Sequence, residues 1–249
     1  LNKIHIFYHM GSSSDDSSTL KYITKDQTNQ WTSLDLDNPA GHLPRAYIDA
    51  NDVLHVAYVD RINNELKYAT CSSLCYTSAS QWSTVVVDSV TEVGDFTDIV
   101  VDTSGNIHIA YQDETNDDLR YATCSSGCTS TLSWSTVRVD DTFLETDQRS
   151  MTFSIDVDSA GDIHIVYVSD LASEVAEYAT CSNSCLVDAS WTSSVAIDTN
   201  DEVYHVDLVI DSGDALHLAV YDFEFRDLEY FTCINACLLY TSPSPRDVR

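Results

Sequence analysis

Four pairs of cysteines recur along this sequence, each in the pattern C-x-x-x-C at one place of an internal repeat. They are Cys71 with Cys75, Cys124 with Cys128, Cys181 with Cys185, and Cys233 with Cys237. The first copy has Lys25 and Asn29 instead, so both cysteines are missing together, which predicts a disulfide within each pair. Zinc is the alternative, because closely spaced thiolates can bind it, although each copy supplies only two. Persistent disulfides need an oxidising compartment, so we expect an extracellular or cell-surface protein.

A histidine marks every copy of the repeat, and an aspartate lies six residues before it in four copies. The histidines are His5, His55, His108, His164 and His217, in steps of 50, 53, 56 and 53 residues. The aspartates are Asp49, Asp102, Asp158 and Asp211. One histidine per copy could form a metal or catalytic centre, but five at one position favour a structural role. A buried imidazole needs partners for both nitrogens, and the aspartates and threonines of the repeat could supply them.

The repeated tryptophans and tyrosines are predicted to be core residues first, because each aromatic side chain buries a large area. The tryptophans are Trp31, Trp82, Trp134 and Trp191. Stacking on a carbohydrate is the alternative role for those that are exposed.

A second set of aspartates follows the repeated histidines and suggests a cation site. These residues are Asp60, Asp113, Asp170 and Asp222, each predicted at the end of a strand beside acidic loops. Calcium takes 6–8 oxygen ligands and tolerates irregular geometry, so this rim of carboxylates could hold Ca²⁺ as the one cofactor. A solvated acidic surface is the alternative. The first set, Asp49, Asp102, Asp158 and Asp211, is instead predicted to cap hairpin turns.

Motifs of catalysis are missing from the sequence. It has no G-x-S-x-G, no H-E-x-x-H and no phosphate-binding glycine loop, with 7 glycines in all. We therefore predict no catalytic residue.

The elements that position these residues are short strands. In the third copy they are Asp98–Asp102, Ile107–Asp113, Leu119–Cys124 and Trp134–Asp140, rich in Val, Ile, Tyr and Thr. Four consecutive antiparallel strands in a repeat of about 50 residues are typical of a β-propeller blade. The strands are apolar on both faces, so each sheet must pack between neighbours. The predicted fold is all-β, with a flat sandwich as the alternative to the propeller.

The repeat also resembles a known family. The pattern V-D-x-x-G-x-I-H-I-A-Y-x-D followed by L-x-Y-A-T is similar to the blades of secreted bacterial and archaeal propellers of the sialidase-like (BNR-type) group. That resemblance implies a propeller fold and covers nearly the whole chain. Sialidases clamp a carboxylate with clustered arginines, whereas the arginines here outside the last twelve residues occupy no repeated position. Catalysis is therefore not carried over.

We predict one repeat domain over residues 1–237, with repeats at about 1–37, 45–88, 97–140, 153–198 and 206–237. Three strands in the first copy, four in each of the next three and three in the last make about four and a half blades. Residues 238–249 resemble a translated sequencing adapter. We expect them to be a non-native tail and the chain to be a fragment of a longer gene product.

The net charge of the protein limits which molecules it can bind. The net charge of −28 argues against nucleic-acid binding, and the sequence has no apolar run long enough for membrane insertion. We expect a non-enzymatic recognition or adhesion module whose glycan or protein ligand binds the loop-rich face. The alternatives are self-association into an extracellular filament or surface layer, and a sialidase-like glycoside hydrolase.

Overall fold

The protein is all-β. A computed structural model describes residues 3–11, 18–25, 29–90, 92–141, 153–169, 175–197, 203–222, 226–233 and 240–241, with only the backbone at residues 95, 195, 197, 233, 240 and 241. Within these residues the chain forms strands in five antiparallel sheets, together with three single-turn 3-10 helices. None of these helices is long and apolar enough to cross a membrane.

Each sheet follows the chain order of its strands. The first has three strands: β1 (Ile4–Met10), β2 (Thr19–Lys25) and β3 (Trp31–Asp37). The second has β4 (His42–Ile48), β5 (Leu54–Asp60), β6 (Glu65–Cys71) and β7 (Ser83–Asp88). The third has β8 (Val93–Val101), β9 (Ile107–Asp113), β10 (Asp118–Cys124) and β11 (Ser135–Asp140).

The last two sheets repeat this plan. The fourth has β12 (Phe153–Val157), β13 (Ile163–Ser169), β14 (Val175–Cys181) and β15 (Thr192–Ile197). The fifth has β16 (Val203–Ile210), β17 (Leu216–Asp222), β18 (Asp227–Cys233) and β19 (Tyr240–Thr241). The 3-10 helices are η1 (Ala79–Gln81), η2 (Thr131–Ser133) and η3 (Asp188–Ser190).

The predicted strands of the third copy agree with the structure to within one residue at each end, except that β8 begins five residues earlier than expected. The fifth sheet differs more. Three strands were predicted there, but Tyr240–Thr241 adds a fourth by pairing with Phe231 and Thr232, inside the segment expected to be a tail.

The sheets pack through both faces, as the two-faced strands require. β5 shows this because all seven of its residues are buried. Val56 and Tyr58 belong to an apolar cluster with Leu20 and Tyr22 of the first sheet. Ala57 and Val59, on the other face, belong to a second cluster with Ile109 of the third sheet. The fourth and fifth sheets share a further cluster, which includes Val166 and Leu218.

The chain divides into two compact units. One comprises residues 1–115 and 122–136, and the other comprises residues 116–121 and 137–249. Within the first unit, β4 contacts β1 on one side and β8 on the other. Within the second unit, β12 contacts β16 in the same way.

Candidate functional site

The cysteine pairs form disulfides between residues close in sequence. Disulfides join Cys71 to Cys75, Cys124 to Cys128 and Cys181 to Cys185, as predicted, with Cα atoms 5.7–5.8 Å apart. The side chain of Cys233 and all of Cys237 lie outside the described residues.

Each observed disulfide turn also binds a tryptophan. The indole Nε1 of Trp82 donates to the carbonyl of Cys75 at 3.0 Å, and Trp134 and Trp191 make the same bond to Cys128 and Cys185. These three tryptophans are 7–8% exposed, whereas Trp31, whose copy lacks the cysteines, is 53% exposed. The prediction that Trp31 is a core residue is therefore wrong.

In four of the five copies the repeated histidine lies beside the aspartate of its own copy, and we call this histidine, the aspartate and the neighbouring tyrosine the structural triad. His55 Nδ1 lies 2.7 Å from the Tyr68 hydroxyl, and its Nε2 faces Asp49 Oδ2 at 3.7 Å. His164 and His217 have the same two partners in their own sheets, and His108 Nε2 faces Asp102 at 3.5 Å. The aspartate was predicted as a partner of the histidine, and it is present. The partner of Nδ1 is a tyrosine hydroxyl, whereas a threonine was predicted. Threonine lies directly across the strand pair from the histidine in the register of β5 and β6.

The triad aspartates also cap the hairpin turns. Asp49 Oδ1 accepts from the backbone N–H groups of Asn51 and Val53, both at 2.8 Å. Asp102, Asp158 and Asp211 do the same in their hairpins. Burial raises the pKa of Asp49, but the hydrogen bonds from Val53 and Asn51 outweigh it and hold that pKa below its usual value.

The aspartates proposed for calcium are buried. Asp60, Asp113 and Asp222 end β5, β9 and β17 and are 0–2% exposed. Asp60 caps the following turn, since it accepts from the N–H groups of Ile62 and Asn63. In the fourth sheet Ser169 ends β13 at the equivalent position, so Asp170 was one residue out of register and lies outside the described residues. No group of three or more His, Cys, Asp or Glu side chains in the described part of the chain could hold a metal, and the calcium site stays a prediction.

A cavity that sequence reasoning did not find opens beside the first strands of the first unit. We call it the aromatic cavity. Its volume is about 320 Å³, and its walls are Phe7, Tyr8, His9, Leu43, Pro44, Arg45, Phe96 and Thr97. This volume lies at the lower end of the range of small-ligand sites, which are mainly apolar with a few polar groups.

Two β-bulges build this cavity. The register between β4 and β5 shifts between His42 and Arg45, so three residues of β4 span two of β5. The register between β8 and β9 shifts between Val93 and Thr97, which adds two residues. A bulge bends its strand and redirects side chains, and here the extra residues place Leu43, Pro44 and Phe96 on the cavity wall.

Two polar side chains on the wall of the aromatic cavity, those of Arg45 and Thr97, are unpaired among the described residues. Within the described part of the chain, the Arg45 side chain has no ion pair, hydrogen bond or ring contact, although the sequence has 40 acidic residues. Thr97 is 3% exposed, and its Oγ1 has no hydrogen-bond partner among the described residues. The rings of His9 and His42 lie 4.8 Å apart beside them.

Comparisons with known proteins identify the fold. No family model matches the chain, and no curated protein matches it. An ulvan lyase of polysaccharide lyase family PL25, bound to a saccharide of GlcA and Rha3S, superimposes with a TM-score of 0.61 at 12% identity, over 96% of this chain and 68% of that one. The NanB sialidase of Streptococcus pneumoniae gives 0.54 at 10% identity, over 83% of this chain and 33% of its own. The Aleuria aurantia lectin, in complex with Fucalpha1-6GlcNAc, gives 0.51 at 11% identity, over 97% and 78%. These similarities concern the fold alone, which this chain shares with proteins that bind or act on carbohydrates.

Proposed function

We propose that this chain is part of an extracellular β-propeller that recognises glycans without catalysis, through the aromatic cavity. The repeated four-stranded sheets, packed face to face with their first strands side by side within each unit, support the propeller. The three disulfides support an oxidising, extracellular location.

The observation that carries the proposal is an unpaired arginine, Arg45, on the wall of a cavity that aromatic residues also line. The rings of Tyr8 and Phe96 suit the C–H face of a sugar ring. The Arg45 guanidinium supplies hydrogen bonds to sugar oxygens. The cavity lies beside the end of β1 and the start of β4.

A glycan array, followed by titration of the best binder, tests this proposal. We expect binding that weakens by about tenfold or more in Arg45→Gln and in Phe96→Ala, since each removes a principal contact. Arg138→Gln, in a different cavity, is the matched control and should bind normally. Absence of any bound glycan, or equal affinity in Arg45→Gln, would overturn the proposal.

Self-association is a second candidate because of the exposed face of β1. Ile4, Ile6 and Met10 are 52%, 42% and 55% exposed. The equivalent Leu54 and Val56 of β5 are buried against the first sheet. The outer face of β1 therefore has the apolar pattern that fits another sheet of this repeat, which a second copy of the chain could supply.

A further inference from the structure

A contact between a tyrosine and a tryptophan joins successive sheets at three places in the described part of the chain. The repeated tyrosine of one sheet packs against the repeated tryptophan of the next, with ring centres 5.1–5.3 Å apart and planes inclined by 59–62°. These three tyrosines are only 1–2% exposed. The pairs are Tyr22 with Trp82, Tyr68 with Trp134, and Tyr121 with Trp191, each within one of the two compact units.

One tryptophan and one tyrosine of this pattern lie exposed, at the outer faces of the first and fifth sheets. Trp31 is the equivalent of Trp82, and Tyr230 is the equivalent of Tyr68. The only ring contact of Trp31 among the described residues is with Lys25, whose Nζ lies 5.4 Å from the ring centre. The first sheet therefore presents a tryptophan without a tyrosine, and the fifth sheet presents a tyrosine without a tryptophan.

The apolar residues of the two faces follow the same rule. Leu228 of the fifth sheet is exposed, but its counterpart Leu66 is buried in the cluster that the second sheet shares with the third. Ile6 of the first sheet is exposed, but its counterpart Val56 is buried in the cluster that the first and second sheets share. Inside the chain, faces of these two kinds pack against each other.

Two surfaces are defined by these residues. The front face consists of Ile4, Ile6 and Trp31, and the back face consists of Val209, Leu228 and Tyr230.

Charge also favours contact between unlike faces. The net charge of −28 makes most surfaces of two copies repel each other. At the front face, however, the Lys25 ammonium lies over Trp31. At the back face, Asp211 Oδ2 lies 3.1 Å from Nε2 of His217, which bonds the Tyr230 hydroxyl. A front face on a back face brings a cation toward a carboxylate, whereas two front faces bring two cations together.

We propose that the front face of one copy of this chain docks on the back face of a second copy, with Trp31 packed on Tyr230 as Trp82 packs on Tyr22. Because the two faces are unlike, a dimer retains one open face of each kind and binds further copies until the assembly closes or continues as a filament. The inference rests on the self-association candidate above and assigns the surface that the first sheet contacts.

Sedimentation velocity of the parent and of two double variants tests the proposal. The front variant has Ile6→Thr with Trp31→Thr, and the back variant has Val209→Thr with Leu228→Thr. All four residues are exposed and threonine suits a strand, so both variants should fold. We expect the mass of the parent to rise with concentration beyond that of a dimer. Each variant alone should associate about tenfold more weakly or less.

A mixture of the two variants separates this arrangement from other modes of association. Each variant retains the face that the other lacks, so equal amounts should form a dimer and no larger species. Val90→Thr is the matched control, because Val90 is 87% exposed in the connection between β7 and β8, and it should associate as the parent does. Tryptophan emission should move to shorter wavelength as the parent associates, since Trp31 becomes buried, and this shift should be absent in the front variant.

Three results would contradict the proposal. Parent-like association of the back variant would show that first sheets pair with each other, which keeps the self-association candidate and dismisses this inference. A mixture of variants that stays monomeric while the parent associates would exclude docking between unlike faces. A parent that stays monomeric at every concentration would dismiss both the inference and the candidate on which it rests.

Discussion

At the scale of single residues, His55 and His108 are buried histidines for which the protein favours the neutral form. Burial lowers the pKa of His55, although the Asp49 carboxylate opposes this shift, and His108 beside Asp102 behaves in the same way. A neutral imidazole can accept the Tyr68 proton at Nδ1, while its Nε2–H faces Asp49 Oδ2 at 3.7 Å, which is too far for a hydrogen bond. The histidine, aspartate and tyrosine resemble a catalytic triad in composition, but here they connect neighbouring strands of one sheet.

This arrangement predicts how stability depends on pH. Because the folded pKa of His55 and His108 lies below the unfolded value of about 6.5, the unfolded chain binds the proton more readily. Their stabilisation is complete above about pH 6.5 and is lost as the pH falls through the folded pKa values. The urea concentration at the midpoint of unfolding should therefore decrease as the pH is lowered from about 8 to about 5.

A variant with His55→Asn and His108→Asn should show a flatter dependence over the same interval. The exposed His205 gives the control, since His205→Asn should keep the slope of the parent. An identical slope in the double variant would show that these histidines do not cause the pH dependence.

At the scale of elements, bulges convert a regular strand into a cavity wall. β8 contains the larger irregularity, and Gly94 lies within it. A Cβ on Gly94 would lie 2.1 Å from Oε1 and 2.4 Å from Cδ of Gln112, which is only 1% exposed and cannot move away freely. The bulge therefore needs glycine for reasons of space.

Gly94→Ala should lower the free energy of unfolding by about 1–3 kcal/mol and displace Phe96, which weakens glycan binding in the aromatic cavity. Denaturant unfolding and the glycan titration measure the two effects. Gly105→Ala is the contrast, because its φ of +85° makes it costly while a Cβ there meets no atom within 4 Å. It should destabilise the hairpin but leave glycan affinity unchanged, and parent-like affinity in Gly94→Ala would contradict the role of the bulge.

At the scale of the whole molecule, a sheet with two apolar faces needs two neighbours. The first sheet buries Phe7 and Tyr22 toward the second sheet but exposes Ile4 and Ile6 on its other face. The fifth sheet likewise exposes Val209, Leu228 and Tyr230, at 57%, 63% and 44%. Each of these faces has the same apolar character as the buried ones.

If the face of β1 mediates self-association, light scattering after gel filtration should give a mass that rises with concentration. Ile4→Thr with Ile6→Thr keeps strand-forming residues but removes apolar area, so it should shift the protein toward monomer. Leu132→Thr is the control, because Leu132 is 96% exposed in η2 and should not affect the mass. A monomeric parent at every concentration would dismiss this candidate.

The amino-acid sequence alone predicted what depends on neighbours along the chain. The period of the repeat, the hairpin turns capped by Asp49 and its equivalents, the pairing of Cys71 with Cys75, and strands with two apolar faces follow from local composition and spacing. A histidine with an upstream aspartate likewise predicted a structural position in each copy.

The tertiary structure decided what depends on distant segments and on small departures from the repeat. The aromatic cavity combines residues of β1, β4 and β8. Two bulges orient these residues, and the periodic pattern of the sequence does not reveal the bulges. The exposure of Trp31 and of Tyr230 appears only when neighbouring sheets are in place. Repetition specifies the scaffold, whereas side chains that break the repeat acquire their roles through contacts between sheets.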